Sequence, residues 1–251
     1  MKRAFFSILA AGLLMTTVCK GASVITMTTS SDNVKIRLAG TGAFTIDWGD
    51  GSEIKTGKLK EYKKRWWHKR EHSFSYANNS SRTITITGDN ITHLSSNGNH
   101  LTSLDVSKNT ALTYLECRFS KLTSLDVSKN TKLLRLICQG NELTSLDVSK
   151  NVALTGLDCS LNTLKKLDLS NNISLTRLSC AGNQFNDAAL NNLFGTLNSN
   201  AGEKIILTGG HFGEKANYDE SIAMKNGWEI RVIETKKSKN GKSMFFIPDI
   251  V

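Results

Sequence analysis

From Leu101 to Gln184 the apolar residues fall on one fixed rhythm. Four consecutive 21-residue segments, 101–121, 122–142, 143–163 and 164–184, each read L-x-x-L-x-V/L-x-x-N and then L-x-x-L-x-C. They keep phase without a gap, and a half-unit, 91–100, precedes them in frame. Self-similarity at a short fixed period marks a solenoid, in which each unit buries its apolar side only by stacking on its neighbours. Leucines at alternate positions turn inward and the residues between them turn outward, so two short strands per coil are predicted. Successive coils would then stack in parallel about 4.8 Å apart. Asn109, Asn130, Asn151 and Asn172 recur at one corner. An amide side chain there can satisfy backbone groups that stacking removes from water.

The flanking segments carry other periods. Val34 to Leu38, Phe44 to Trp48 and Thr83 to Thr87 alternate apolar and polar residues, the pattern of strands with one buried face. Trp48-Gly49-Asp50-Gly51-Ser52 reads as a turn in which glycine supplies positive φ and Asp braces the backbone. Past Gln184 the repeat stops. Asn186 is placed to cap a helix, Lys204 to Thr208 reads as a strand, and Asp219 to Asn226 reads as a helix stopped by Gly227. A last strand, Trp228 to Ile233, would continue the parallel stack and turn Trp228 onto its open end. The tail 235–251 is basic and then apolar, and its order is left open. At the other end, Lys2 and Arg3 precede an uncharged apolar run from Ala4 to Val18, too short to span a bilayer comfortably, so 1–22 is expected to be an export signal. Acylation at Cys19 is the alternative and would supply the only membrane attachment, although Thr16 and Val18 depart from the residues such a site prefers.

The repeats resemble leucine-rich repeat proteins, in particular the short 21-residue type of secreted bacterial proteins, including internalin-type cysteine repeats. The segment after Gln184 looks like the C-terminal part of Bacteroidetes-type members. Trp48-Gly49-Asp50-Gly51 with His72-Ser73-Phe74-Ser75-Tyr76 resembles the signatures of PKD-like immunoglobulin-type sandwiches, with Asn78 to Ser81 where those carry a glycine. The expected fold is an α/β leucine-rich repeat solenoid of parallel strands, preceded by a small all-β sandwich-like domain and closed by an α/β cap. The expected division is 1–22 signal, 23–88 PKD-like domain, 89–184 repeats, 185–234 cap and 235–251 tail. Such resemblance implies a binding surface at or outside the cell envelope.

Composition narrows the choices. The chain has 251 residues, 39% hydrophobic and 22% charged, with a single proline, which excludes collagen-like, proline-rich and broadly disordered classes. A net charge of +10 admits acidic glycans, nucleic acid or anionic lipid as partners, of which nucleic acid is not expected. Cys117, Cys138, Cys159 and Cys180 lie 21 residues apart at the inward site. Stacked in register they point the same way, whereas a disulfide needs converging Cβ atoms about 3.8 Å apart, so a buried thiol ladder is expected. No histidine shares their column, which argues against metal.

Catalytic constellations are scarce. His68-Lys69-Arg70-Glu71-His72 spells an inverted zinc-protease motif, but it runs into a predicted strand, where residues i and i+4 stand about 13 Å apart. There is no G-x-S-x-G, P-loop, dinucleotide-binding glycine pattern or C-x-x-C. No enzyme, cofactor or metal is therefore expected. Asp105, Asp126, Asp147 and Asp168 form a column that stacked carboxylates could offer to calcium, but each has a Ser two residues on and reads better as a turn. Two binding surfaces are expected instead. In the first, the outward positions of the Cys strand change from unit to unit while those of the L-D-V-S segment barely change. That nominates Tyr114, Glu116, Arg118, Arg135, Ile137, Gln139, Asp158 and Arg177 for protein recognition. The second is the basic stretch around Lys64, Arg65, Trp66 and Trp67, which would suit a glycan or acidic polymer.

Overall fold

The computed structural model describes residues 23–64, 70–200, 204–208, 218–232, 235–237 and 243–245. Residues 1–22, expected to be an export signal, Arg65, Trp66, Trp67 and His68, and most of the tail lie outside the described residues.

Five antiparallel strands come first: β1 (Ser23–Thr29), β2 (Asn33–Asp47), β3 (Lys55–Lys58), β4 (Glu71–Ser75) and β5 (Arg82–Ser95). Strict alternation of buried and half-buried residues along β1 shows one face packed and one wet. The turn after β2 is locally braced. Asp47 accepts the Gly49 N–H at 2.9 Å, Asp50 accepts that of Ser52 at 3.1 Å, and the Tyr76 hydroxyl donates to the Trp48 carbonyl at 2.7 Å. Gly49 has φ +76, and a Cβ there would lie 2.1 Å from the Thr83 carbonyl oxygen, so no side chain fits.

The 14-residue β5 belongs to two structures at once. Its first half pairs antiparallel with β1, and its end, His93 to Ser95, pairs parallel with the first repeat strand, β7 (Tyr114–Glu116). The ladder then runs through β8 (Arg135–Ile137), β9 (Gly156–Asp158), β10 (Arg177–Ser179), β11 (Lys204–Thr208) and β12 (Trp228–Val232), all parallel. Across β7 to β10 the register is 21 residues per coil, so equivalent positions stand side by side. Helix α1 (Asp187–Gly195) precedes β11, with the Asn186 side chain capping the Ala189 N–H. Helix α2 (Glu220–Lys225) precedes β12, capped by Asp219. A separate hairpin pairs β13 (Thr235–Lys237) with β14 (Ser243–Phe245).

The molecule is thus a parallel-strand solenoid of about four turns with 21-residue periodicity. One coil shows how it is filled: Leu122, Val127, Leu133, Leu136 and Cys138 are fully buried and Leu125 nearly so. Each such aliphatic side chain contributes about 1.5–3 kcal/mol. A single cluster of buried side chains runs from Ile25 to Trp228, through the antiparallel strands and every coil. Trp228 is buried and its indole N–H donates to the Asn198 carbonyl at 2.9 Å.

One expectation is corrected. Only the Cys segment of each coil is a strand, and the later L-D-V-S segments are not. The first such segment, β6 (Leu101–Asp105), is a strand because it pairs antiparallel with β1. The later ones have no strand beside them and bend through local turns instead. In these, Asp126, Asp147 and Asp168 accept the N–H of Ser128, Ser149 and Ser170 at 2.8–2.9 Å.

Two amide ladders hold the corners. Asn130, Asn151 and Asn172 are buried, and each Nδ2 donates to two backbone carbonyls of the coil before. Asn141, Asn162 and Asn183 donate to the carbonyls of the cysteines in their own and the preceding coil. Their Oδ1 atoms accept the N–H of Leu122, Leu143 and Leu164. The residue before each of these amides is left-handed: Phe119 (before Ser120), Gly140, Leu161 and Gly182 have φ of 50, 69, 54 and 67°. Phe119 lies over Gly140 and Leu161 over Gly182, so large and small residues alternate along this rim.

Candidate functional site

The outward side chains of the parallel ladder form three columns. The first holds His93, Tyr114, Arg135, Gly156 and Arg177, and the second holds Ser95, Glu116, Ile137, Asp158 and Ser179. Arg118, Gln139, Ser160 and Ala181 make the third, one residue past the cysteines. Alternation along the strands puts them all on one face. It does not make them all accessible. Glu116, Ile137, Gln139 and Asp158 are buried, Ile137 completely. The expectation of a uniformly exposed face is corrected accordingly: Tyr114, Arg118 and Arg135 are half-buried, and Arg177 is exposed.

The buried members form a polar network. Arg118 pairs with Glu116 at 3.1 Å. Gln139 donates to the Ser160 hydroxyl at 3.2 Å, and that hydroxyl donates to Asp158. Burial raises the Asp158 carboxyl above the usual range, against hydrogen bonds from Ser160 and the field of Arg118. These residues act as a satisfied floor under the exposed ones.

Above the first column lies a segment from a distant part of the chain. The 59–64 stretch leaves β3, with Leu59 buried, and sets Tyr62 against the ladder. Tyr62 stacks on His93 at 4.3 Å between centroids and 8° between planes. Tyr114 joins them, 5.5 Å from His93 and 6.3 Å from Tyr62. Such offset ring contacts add about 0.5–1.5 kcal/mol each beyond area burial. Burial lowers the His93 imidazole to about 4, so at neutral pH the ring is uncharged within the stack. It raises the Tyr114 phenol above its ordinary value, with Glu116 adding to the shift.

Beside this stack opens a groove of about 430 Å³, lined by Tyr62, Lys64, His93, Thr113, Tyr114, Leu134, Arg135 and Thr155. The structure therefore brings Lys64, nominated for polyanion binding, beside Tyr114 and Arg135, nominated for protein recognition. Arg65, Trp66 and Trp67 lie outside the described residues. Sequence reasoning missed Tyr62 and Leu134. Tyr62 left no local signal. Leu134 did, because it stands where the other units carry Thr113, Thr155 and Thr176.

The other nominated chemistry is scattered or spent. His72 sits in β4 against Phe44 at 4.8 Å, and its motif partner His68 lies outside the described residues. Among the described residues no group of three His, Cys, Asp or Glu side chains is arranged to hold a metal. Cys117, Cys138, Cys159 and Cys180 are free and buried, and burial pushes the Cys117 thiol up to about 12. A second concavity, of about 580 Å³, lies between the Asp147 and Asp168 turns and α1, where both carboxylates are engaged by backbone N–H groups. No helix among the described residues is long and apolar enough to cross a membrane.

No protein-family model and no curated protein matches the chain. Among solved structures it is similar to the functional domain of InlJ from Listeria monocytogenes, described as including a cysteine ladder. The likeness has 32% identity over 56% of this chain and 29% of that one, with a TM-score of 0.45. An internalin (inlF) from Listeria monocytogenes is similar at 21% identity over 51% of this chain and 38% of that one, with a TM-score of 0.38. The chain thus spans well under half the length of either structure.

Proposed function

We propose that the chain is a non-enzymatic binding module that recognises a protein partner through the outward face of its parallel ladder, at the cell surface or in the periplasm. One observation carries the reading. The outward side chains of the Cys strand, Tyr114, Arg135, Gly156 and Arg177 among them, stand in register columns and change between coils, while the outward positions of the L-D-V-S segment hardly change. A repeat that only stacks needs no such variety, whereas tyrosine and arginine are the residues that most often dominate protein interfaces. The export signal expected at 1–22 supports a site outside the cytoplasm. Export and chemical cross-linking of the mature chain in native envelope material, followed by mass spectrometry, tests this. Capture of a defined protein that is lost in a Tyr114→Ala, Arg135→Glu, Arg177→Glu chain and kept in Asp126→Asn supports the reading. Capture that depends on Asp126 and ignores the other three refutes it.

Lys64 beside Arg135 favours a second reading, attraction of an acidic glycan. Binding to polygalacturonate that fades steeply with salt and is lost in Lys64→Glu would select it.

A further inference from the structure

We infer that the groove between the 59–64 segment and strands β7 and β8 is a built site for a protein segment that presents an aliphatic side chain beside a carboxylate. The inference rests on the protein-recognition reading and specifies its partner chemistry.

The first support is Leu134. At the equivalent position of the other coils a threonine hydroxyl donates to the carbonyl of the preceding coil. Thr113 donates to Thr92 at 3.0 Å, Thr155 to Leu134 at 3.0 Å and Thr176 to Thr155 at 3.2 Å. Leu134 forgoes that bond and leaves 46% of its surface exposed, in the groove. A solvent-facing leucine that displaces a bonding threonine costs the free chain and becomes favourable once another apolar group covers it.

The second support is that the groove is assembled from two parts of the chain. Tyr62 comes from a connection between antiparallel strands, yet it is held against β7 by parallel ring stacking. Ordering exposed loop residues costs about 1–2 kcal/mol each, which is lost entropy that a recognition wall, prepared before binding, recovers in affinity.

The third support is charge. Lys64 and Arg135 line the groove, and among the described residues no carboxylate does. A guanidinium takes a carboxylate through two parallel N–H···O bonds. A basic or neutral polar segment would leave both cations unmatched and Leu134 wet. An aliphatic residue flanked by Asp or Glu satisfies the floor and the cations together.

The test is selection of displayed random 12-residue peptides on the full mature chain, with the winners synthesised and measured by fluorescence anisotropy. The expected winners carry Leu, Ile or Val within two residues of Asp or Glu. Their affinity falls tenfold or more in Leu134→Thr, and likewise in Arg135→Glu, but less than twofold in Asp126→Asn. Leu134→Thr restores the repeat's own residue, so its loss of binding is not a folding defect. Circular dichroism and the urea midpoint confirm this for each variant. Winners that lose affinity in Arg177→Glu but not in Leu134→Thr overturn the groove and leave the protein-recognition reading standing. Failure to select any peptide, with polygalacturonate bound instead and released by Lys64→Glu, overturns both.

Discussion

Asn109 and Asn151 occupy the same place in their coils, yet replacing them by alanine has different consequences. The Asn151 Nδ2 donates to the carbonyls of Val127 at 3.0 Å and Asn130 at 2.9 Å. Each such bond contributes about 1 kcal/mol net. The abandoned carbonyls keep one partner each, the N–H of Asn130 on Val127 at 2.9 Å and that of Leu133 on Asn130 at 3.0 Å. The cost of orphaned acceptors is therefore not added. A small hollow left by the amide offsets the relief of its unpartnered Oδ1, so Asn151→Ala should destabilise by about 2 kcal/mol. Asn109 is equally buried, but neither its Nδ2 nor its Oδ1 is hydrogen bonded. Asn109→Ala breaks no side-chain bond and removes two unsatisfied polar atoms, so it should be neutral or stabilising. Urea unfolding followed by tryptophan fluorescence measures both. With a slope of about 2 kcal/mol per molar, the two midpoints should differ by about 1 M. Equal losses in the two variants, at equal slopes, would refute the claim that the ladder works by bonding to the preceding coil.

Four further outcomes are expected. Thiol titration should find the four repeat cysteines unreactive in the native chain and all free after unfolding without reductant, and disulfides in mass spectra would contradict the ladder. Trp228→Ala should cost about 3–5 kcal/mol, read as a lower urea midpoint, because a buried ring and its bond to Asn198 are both lost. Gly140→Ala should cost about 1–2 kcal/mol, since φ is +69 and the new Cβ meets Phe119 at 2.6 Å; in a Phe119→Gly background only the conformational part should remain. Burial holds His72 and His93 at about 4 in the fold against 6.5 in the unfolded chain. The unfolded state thus binds protons first, so the stability these residues confer is complete above pH 6.5 and is lost as pH falls toward 4. The urea midpoint should fall across that window and fall less in a His72→Gln, His93→Gln chain.

The solenoid was legible because its period repeats four times in phase, and the inward thiols followed from the same arithmetic. The second strand per coil was not, because alternation alone does not reveal whether a pairing partner exists. Leu101 to Asp105 has β1 beside it, and Leu122 to Asp126 has no strand. The second amide ladder was visible as Asn141, Asn162 and Asn183 spaced by 21, but Ser120 breaks the column and hides it. At the candidate site, sequence told which side of the sheet Ile137 and Asp158 occupy and not that they are buried there. Tyr62 reaches the ladder through tertiary packing, which no spacing rule encodes.

The first amide ladder has a consequence for how such a chain changes length. Asn130, Asn151 and Asn172 donate to main-chain oxygens, so this corner contact between coils is indifferent to the side chains of the neighbour. The nonapeptide LTSLDVSKN occurs three times without change, at 101–109, 122–130 and 143–151. Duplicating or deleting one 21-residue unit by recombination within that stretch would leave each remaining amide opposite the same two oxygens. The two ends would stay as they are, and the outward column proposed for recognition would lengthen or shorten by one residue. Reach can therefore be inherited as a count, separately from specificity, which is inherited residue by residue.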